Sequence, residues 1–234
     1  MNLFAPDSSA MNLNRFPHRA LAGCFLYAAF MLSTAPGQTA TEPAKPGGAA
    51  PVAARVLVAY DSLTGNTEKM AQGVAAGVKQ VPGVVVLLKT VDKVTKQDLE
   101  DADGIILGCP TYFGSLPGRM KAVIDDWSWK LKVDFTDKVG GAFATGGGQA
   151  GGKEFAVLSL VMFMLNNRMV VAGPLYRNEQ TGSVWGEVGA AAMTGPLDTG
   201  VDEGELDSAR RLGERVVRLA AKLKRTETTA VAKQ

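Results

Sequence analysis

The stretch YDSLTGNTEKMA, Tyr60 to Ala71, follows directly on the apolar run RVLVA. Ser62, Thr64, Asn66 and Thr67 place four hydrogen-bonding side chains within six residues around Gly65, with no basic residue before Lys69. A turn that leaves the carboxyl end of a buried strand and opens a helix offers unpaired backbone N–H groups and a positive dipole end. It is an anion site that needs no cationic side chain. Gly65 lets a ligand approach the backbone closely. The nucleoside-triphosphate pattern GxxxxGK[ST] is not matched, and GxGxxG is absent from this turn. A compact phosphate monoester, held by hydroxyls and amides, is the ligand these residues suit. The alternative is an N-cap turn with surplus Ser and Thr.

Two later stretches carry related chemistry. Gly108–Met120 reads GCPTYFGSLPGRM, with Tyr112 and Phe113 as aromatic surface and Pro110 fixing the backbone. Thr145–Gly152 reads TGGGQAGG. Standing alone, the aromatic pair could be core and the glycine run a flexible loop. Cys109 reads as a buried apolar residue at a strand end, because nothing near it would lower its pKa.

The residues that are missing matter as much. The single histidine is His18 and the cysteines are Cys24 and Cys109. From Arg55 onward there is no histidine and one thiol, so the sequence contains no Ser-His or Cys-His dyad, no internal disulfide and no Cys/His metal cluster. Acid–base work falls to carboxylates, Lys, Tyr or a cofactor.

The elements that must position these stretches alternate. Strands are expected at Val56–Ala59, Val84–Leu88, Gly104–Gly108, Val139–Ala144 and Met169–Gly173. Helices are expected at Thr67–Gln80, where Met70, Val74 and Val78 share one face, and at Leu116–Leu131, Glu154–Asn166 and Glu205–Lys224. Asp98–Asp103 reads as a short polar approach, and Gly173–Gly200 as a Gly-rich excursion. Continuous apolar strands, each followed by a helix, predict one α/β domain over residues 55–225: a doubly wound, five-stranded parallel sheet with helices on both faces.

The chain is 234 residues long and 46% hydrophobic, ample for one such core. Three basic residues (Arg15, Arg19, Lys45) and two acidic ones (Asp7, Glu42) precede Arg55, leaving 22 and 21 from Arg55 onward. A nearly neutral domain lacks the basic stripe that nucleic acid requires. At the N-terminus, Arg15, His18 and Arg19 precede an apolar run, Ala20–Leu32, and then STAPGQTA. This is the order of a secretory signal over residues 1–40, unless translation starts further downstream. Residues 41–54 read as a Pro/Gly/Ala linker and 226–234 as a disordered tail. A real leader implies export to the periplasm, or a membrane anchor if it is retained; otherwise the protein is cytoplasmic.

Val58–Ala71 resembles the flavodoxin signature, and the resemblance runs to about Lys224. It is closest to flavodoxin-like NAD(P)H:quinone oxidoreductases of the WrbA type. The resemblance implies that Ser62, Thr64, Gly65, Asn66 and Thr67 grip the phosphate of FMN. Pro110, Thr111, Tyr112, Phe113 and Gly114 resemble the loop that covers the flavin ring; Thr145, Gly146, Gly147, Gly148 and Gln149 resemble the loop along its other edge. All three leave the carboxyl ends of strands one, three and four, and in strand order 2-1-3-4-5 the crevice between strands one and three is where ligands bind.

The family's chemistry is a ping-pong cycle in which NAD(P)H reduces FMN and a quinone takes both electrons. No protein side chain need be catalytic, and no metal is implied. The family also implies a homo-oligomer, dimer or tetramer. This sequence departs from the pattern at Asn166-Asn167, where a His pair is usual, at Tyr112, where Arg is common, and in a short segment after the second strand. Those departures bear on quinone specificity, nicotinamide use and tetramer formation and leave the FMN loops intact. Two other readings stay open: a flavodoxin-type electron carrier, against which the absence of a strongly acidic surface counts, and a non-enzymatic exported flavin-binding protein.

Overall fold

The computed structural model describes residues 52–175, 186, 188–195 and 200–231. The leader, with His18 and Cys24, and the linker up to Pro51 lie outside the described residues.

Strands β1 (Ala54–Tyr60), β2 (Val84–Thr90), β3 (Gly104–Pro110), β4 (Val139–Gly146), β5 (Val170–Val171) and β6 (Ala190–Met193) alternate with helices α1 (Asn66–Lys79), α2 (Lys96–Asp101), α3 (Gly118–Trp129), α4 (Lys153–Asn166) and α5 (Glu203–Val231). All strand pairs are parallel, in the order β2-β1-β3-β4-β5, with β6 also on β4. The apolar runs of β3 and β4 are buried almost throughout, as central strands covered on both faces must be.

Two apolar clusters sit on opposite faces. One packs α1 and α5 over Val56, Val58, Ile106 and Phe143. The other packs Leu99 of α2, Met120 and Ile124 of α3 and Leu160 of α4 over Leu57, Ile105 and Leu107. Helices α1 and α5 meet backbone to backbone: a Cβ on Gly77 would lie 1.9 Å from the Arg210 carbonyl, and one on Gly213 2.0 Å from that of Val74. The doubly wound sheet expected from the sequence is therefore present.

Four local expectations change. The polar approach before β3 is helix α2, started by a reciprocal cap in which Thr95 and Asp98 each bond the other's backbone N–H. The linker ends earlier than expected: Ala53 donates to the Gly83 carbonyl and Ala54 is already a buried strand residue paired with Val84. An alanine-rich run hides a strand start because it lacks apolar contrast with what precedes it.

The fifth strand position is filled in two pieces. Val170–Val171 pairs with the start of β4, and Ala190–Met193, inside the expected excursion, pairs with its end. Small residues let β6 lie under the α5 cluster, where Ala190 and Ala192 are buried. Finally, α5 continues past Lys224 to Val231, into the tail expected to be disordered. The Thr226 hydroxyl donates back to the Lys222 carbonyl along it.

Candidate functional site

Strands β1, β3 and β4 end side by side, so the loops that leave them share one edge of the sheet. In the first loop, Gly65 takes φ +91° immediately before α1, and its N–H donates to Ser62 Oγ at 3.1 Å. No side chain caps α1, which leaves the first-turn N–H groups facing outward at the positive end of the helix. Thr64 and Gly65 are exposed, and a Cβ on Gly65 would meet nothing within 4 Å. The space over this turn is open.

Thr67 behaves differently from its neighbours. It is buried, and its hydroxyl is held by that of Thr145 at 2.7 Å. It thus ties the first loop to the third. Lys69, the motif's one cation, donates to the Val201 carbonyl at 2.7 Å.

The second loop turns on two residues. Tyr112 and Ser115 exchange backbone hydrogen bonds of 2.9 and 3.1 Å, with Phe113 at φ +51° and Gly114 at φ +80° between them. A two-residue turn with both central φ angles positive suits Gly or Asn, and a phenylalanine there is strained by about 1–2 kcal/mol. Phe113 is nevertheless fully exposed and Tyr112 is 40% exposed, so neither belongs to the core. Strain held at an exposed aromatic points to a role in contact with a ligand.

The third loop is pinned from both sides. The Thr111 N–H donates to the Thr145 carbonyl at 2.7 Å. Lys153, on the first turn of α4, donates to the Gly148 carbonyl at 2.6 Å. Gly152 has φ +83°, and a Cβ there would lie 2.6 Å from the Gly114 Cα, so the base of this loop abuts the tip of the second. Gly147, Gly148 and Gln149 remain exposed.

Sequence reasoning missed two residues, Asp61 and Lys153. Asp61 is 2% exposed; its Oδ1 accepts from the Arg119 guanidinium on α3, while its Oδ2 has no partner. A carboxylate at the end of a buried strand was the available signal. Lys153 stood between the glycine run and the helix expected from Glu154, and gave none. Cys109 matches its reading: it is fully buried, and desolvation pushes its thiol up to about 12, which rules out a thiolate nucleophile at neutral pH.

The structure thus brings the three predicted loops together, and the residues present fit a phosphate-tailed, hydroxyl-bearing group with a flat ring. An uncapped helix suits the phosphate. Two buried polar atoms without protein partners, Asp61 Oδ2 and Thr111 Oγ1, call for hydrogen bonds from outside the protein. Exposed Tyr112 and Phe113 suit the ring.

Comparison with known proteins agrees. Residues 89–181 match the family model described as NADPH-dependent FMN reductase. A flavodoxin from Aquifex aeolicus is 36% identical over 168 residues, 71% of this chain and 87% of that protein. A protein named NAD(P)H dehydrogenase (quinone) from Geotalea uraniireducens is 32% identical over 205 residues, covering 73% of this chain and all of its own length. Among solved structures, a flavodoxin, WrbA-like protein from Agrobacterium tumefaciens superposes with a TM-score of 0.56 at 25% identity, over 72% of this chain and 98% of that one.

Proposed function

The chain belongs to the flavodoxin-like family that includes the WrbA-type NAD(P)H dehydrogenases (quinone), and from that premise we propose that it is an FMN-dependent oxidoreductase passing two electrons from NAD(P)H to a quinone. The observation that carries the reading is that the loops leaving the adjacent strands β1 and β3 hold the uncapped start of α1, an exposed and strained Phe113, and two buried polar atoms without protein partners, Asp61 Oδ2 and Thr111 Oγ1.

Bound FMN supplies hydride acceptance and donation at its ring. The protein's residues bind and orient. Ser62, Thr64, Gly65 and Asn66, with the Thr67 N–H, would hold the phosphate through hydroxyls and amides, aided by the helix dipole. Thr111 and Asp61 would take hydrogen bonds from the polyol. Pro110, Tyr112, Phe113 and Gly114 would cover the ring, with Thr145, Gly146, Gly147, Gly148 and Gln149 along its edge.

Arg119 offsets the Asp61 charge, which would otherwise repel a phosphate nearby. Among the described residues no group of three or more His, Cys, Asp or Glu side chains is placed to hold a metal. We further propose that the protein works as a homo-oligomer.

A flavodoxin-type electron carrier is the second reading, supported by the Aquifex relative's name. Steady-state turnover with NADPH and a benzoquinone separates the two. Parallel lines in double-reciprocal plots, the mark of a ping-pong cycle, support the reductase; no quinone-dependent NADPH oxidation by FMN-loaded protein refutes it.

A further inference from the structure

Lys153 opens α4 directly after the glycine loop, and only 6% of it is exposed. Its ammonium donates to the Gly148 carbonyl at 2.6 Å and, more weakly, to that of Gln149 at 3.4 Å. Among the described residues no carboxylate pairs with it. Burying an ammonium without a counter-ion is unfavourable, and an apolar side chain of similar volume would serve the fold as well or better. Packing alone does not account for a lysine here.

Its surroundings fix where the charge lies. A Cβ on Gly146 would meet Lys153 Cγ at 3.2 Å and Thr111 Cβ at 3.1 Å. The lysine stem therefore runs beside Gly146 and Thr111, two residues of the candidate flavin site, and ends on the buried side of the exposed Gly148 and Gln149. Two other cations border the loops. Arg119 is matched by Asp61, so that pair adds no net charge. Lys69 is exposed, where water and salt screen it. Of the three, Lys153 alone brings a buried net positive charge to the site.

The same hydrogen bond sets the polarity of the loop. In a planar trans peptide the C=O and N–H point opposite ways. Drawing the Gly148 carbonyl inward to Lys153 turns the Gln149 N–H outward, and among the described residues that N–H donates to nothing. An ammonium on the inner side of the loop and a free N–H on the outer side both favour negative charge in the crevice.

We propose, resting on the FMN reading above, that Lys153 is a positioning residue that stabilises the negative charge of reduced flavin and so raises the potential at which bound FMN accepts two electrons. Hydride transfer from NAD(P)H carries two electrons and one proton to the ring and releases NAD(P)+. The ring then holds one more negative charge than before, until a second proton arrives from water or a quinone takes the hydride away. A fixed positive charge in a low-dielectric setting stabilises that state, while the oxidised ring, which is neutral, gains little from it.

Reductive titration of the FMN-loaded, full-length protein with dithionite and an indicator dye tests this without recourse to NAD(P)H. Lys153→Gln keeps a donor for the Gly148 carbonyl and removes the charge; Lys153→Met removes both. Each should shift the two-electron equilibrium toward oxidised flavin at least tenfold, about 30 mV in midpoint potential. Lys153→Gln should also keep the wild-type affinity for oxidised FMN and the apo-protein's urea midpoint, which a purely structural role would not allow. The wild type carries a test of its own, independent of how the variants fold: its bound FMN should be reduced at a higher potential than free FMN. A bound potential below the free one, or equal potentials in wild type and Lys153→Gln, overturns the role of Lys153 and leaves the FMN reading standing. A wild type that takes up no FMN overturns both. A wild type that binds FMN but is not reduced by NADPH overturns the reductase reading alone, and the dithionite titration still decides Lys153.

Discussion

The hydroxyls of Thr67 and Thr145 lie 2.7 Å apart in a buried hydrogen bond that joins the first turn of α1 to the end of β4. The turn that opens α1 and the glycine loop after β4 are thereby coupled.

Thr67→Val keeps the shape and removes the bond, leaving Thr145 unpaired. We expect a stability loss of about 1–3 kcal/mol by urea unfolding and a drop in FMN affinity by fluorescence quenching. Thr67→Ser should restore most of both. Thr64→Ala, at an exposed position, should leave stability within ~0.5 kcal/mol. It should weaken FMN roughly tenfold or more, as loss of a hydrogen bond to a charged group does. Equal FMN affinity in Thr64→Ala and wild type would remove Thr64 from the phosphate grip.

Riboflavin lacks the phosphate and isolates that term. If the α1 turn holds a phosphate, FMN should bind at least ~100-fold more tightly than riboflavin, and Thr64→Ala should narrow the gap. Calorimetric titration reading the same affinity for both would show that the turn contributes nothing.

Two glycines should respond differently to alanine. At Gly65 a Cβ meets nothing within 4 Å, so Gly65→Ala costs only the left-handed backbone, about 1 kcal/mol. At Gly152 the same backbone cost is joined by a contact of 2.6 Å to Gly114 Cα, so Gly152→Ala should destabilise more and disturb the second loop. Thermal unfolding of the two variants ranks them; the reverse order would mean that the loops do not abut.

Phe113→Asn suits the turn's positive φ and should raise thermal stability slightly while lowering flavin affinity and NADPH-dependent turnover. A variant both more stable and fully active would show that the aromatic has no role in the site.

Much of this arrangement was readable in the sequence because its signals are local. Hydroxyls around Gly65 announce a strand-to-helix turn, and uninterrupted apolar runs announce covered parallel strands. What escaped depended on partners distant in sequence. Asp61 is meaningful only because Arg119 comes to it from α3, and Lys153 only because its chain end turns back to Gly148. β6 escaped because AAAM has no periodicity, and its strand identity comes from the edge that β4 offers. Helix α4 shows another limit: Phe155, Leu158, Met162 and Leu165 are exposed on it, and in a helix apolar all round only the structure shows which side the sheet leaves uncovered.

Burial of Cys109 has a pH consequence. Its folded pKa is about 12, against an ordinary thiol near 9, so the unfolded chain loses the proton first. Its contribution to stability is constant below about pH 9 and falls between about pH 9 and 12. Cys109→Ala should flatten that part of the profile in urea titrations. In the native protein the thiol should resist aromatic disulfide reagents at pH 8 and react on unfolding; rapid native labelling would contradict its burial.

The most direct test of the account is anaerobic mixing of the FMN-loaded protein with one equivalent of NADPH, followed by visible absorbance. The account predicts rapid and complete loss of the oxidised flavin's yellow band, and its return when a quinone is added. Flavin that stays oxidised under NADPH, or a protein that takes up no FMN at all, would contradict it.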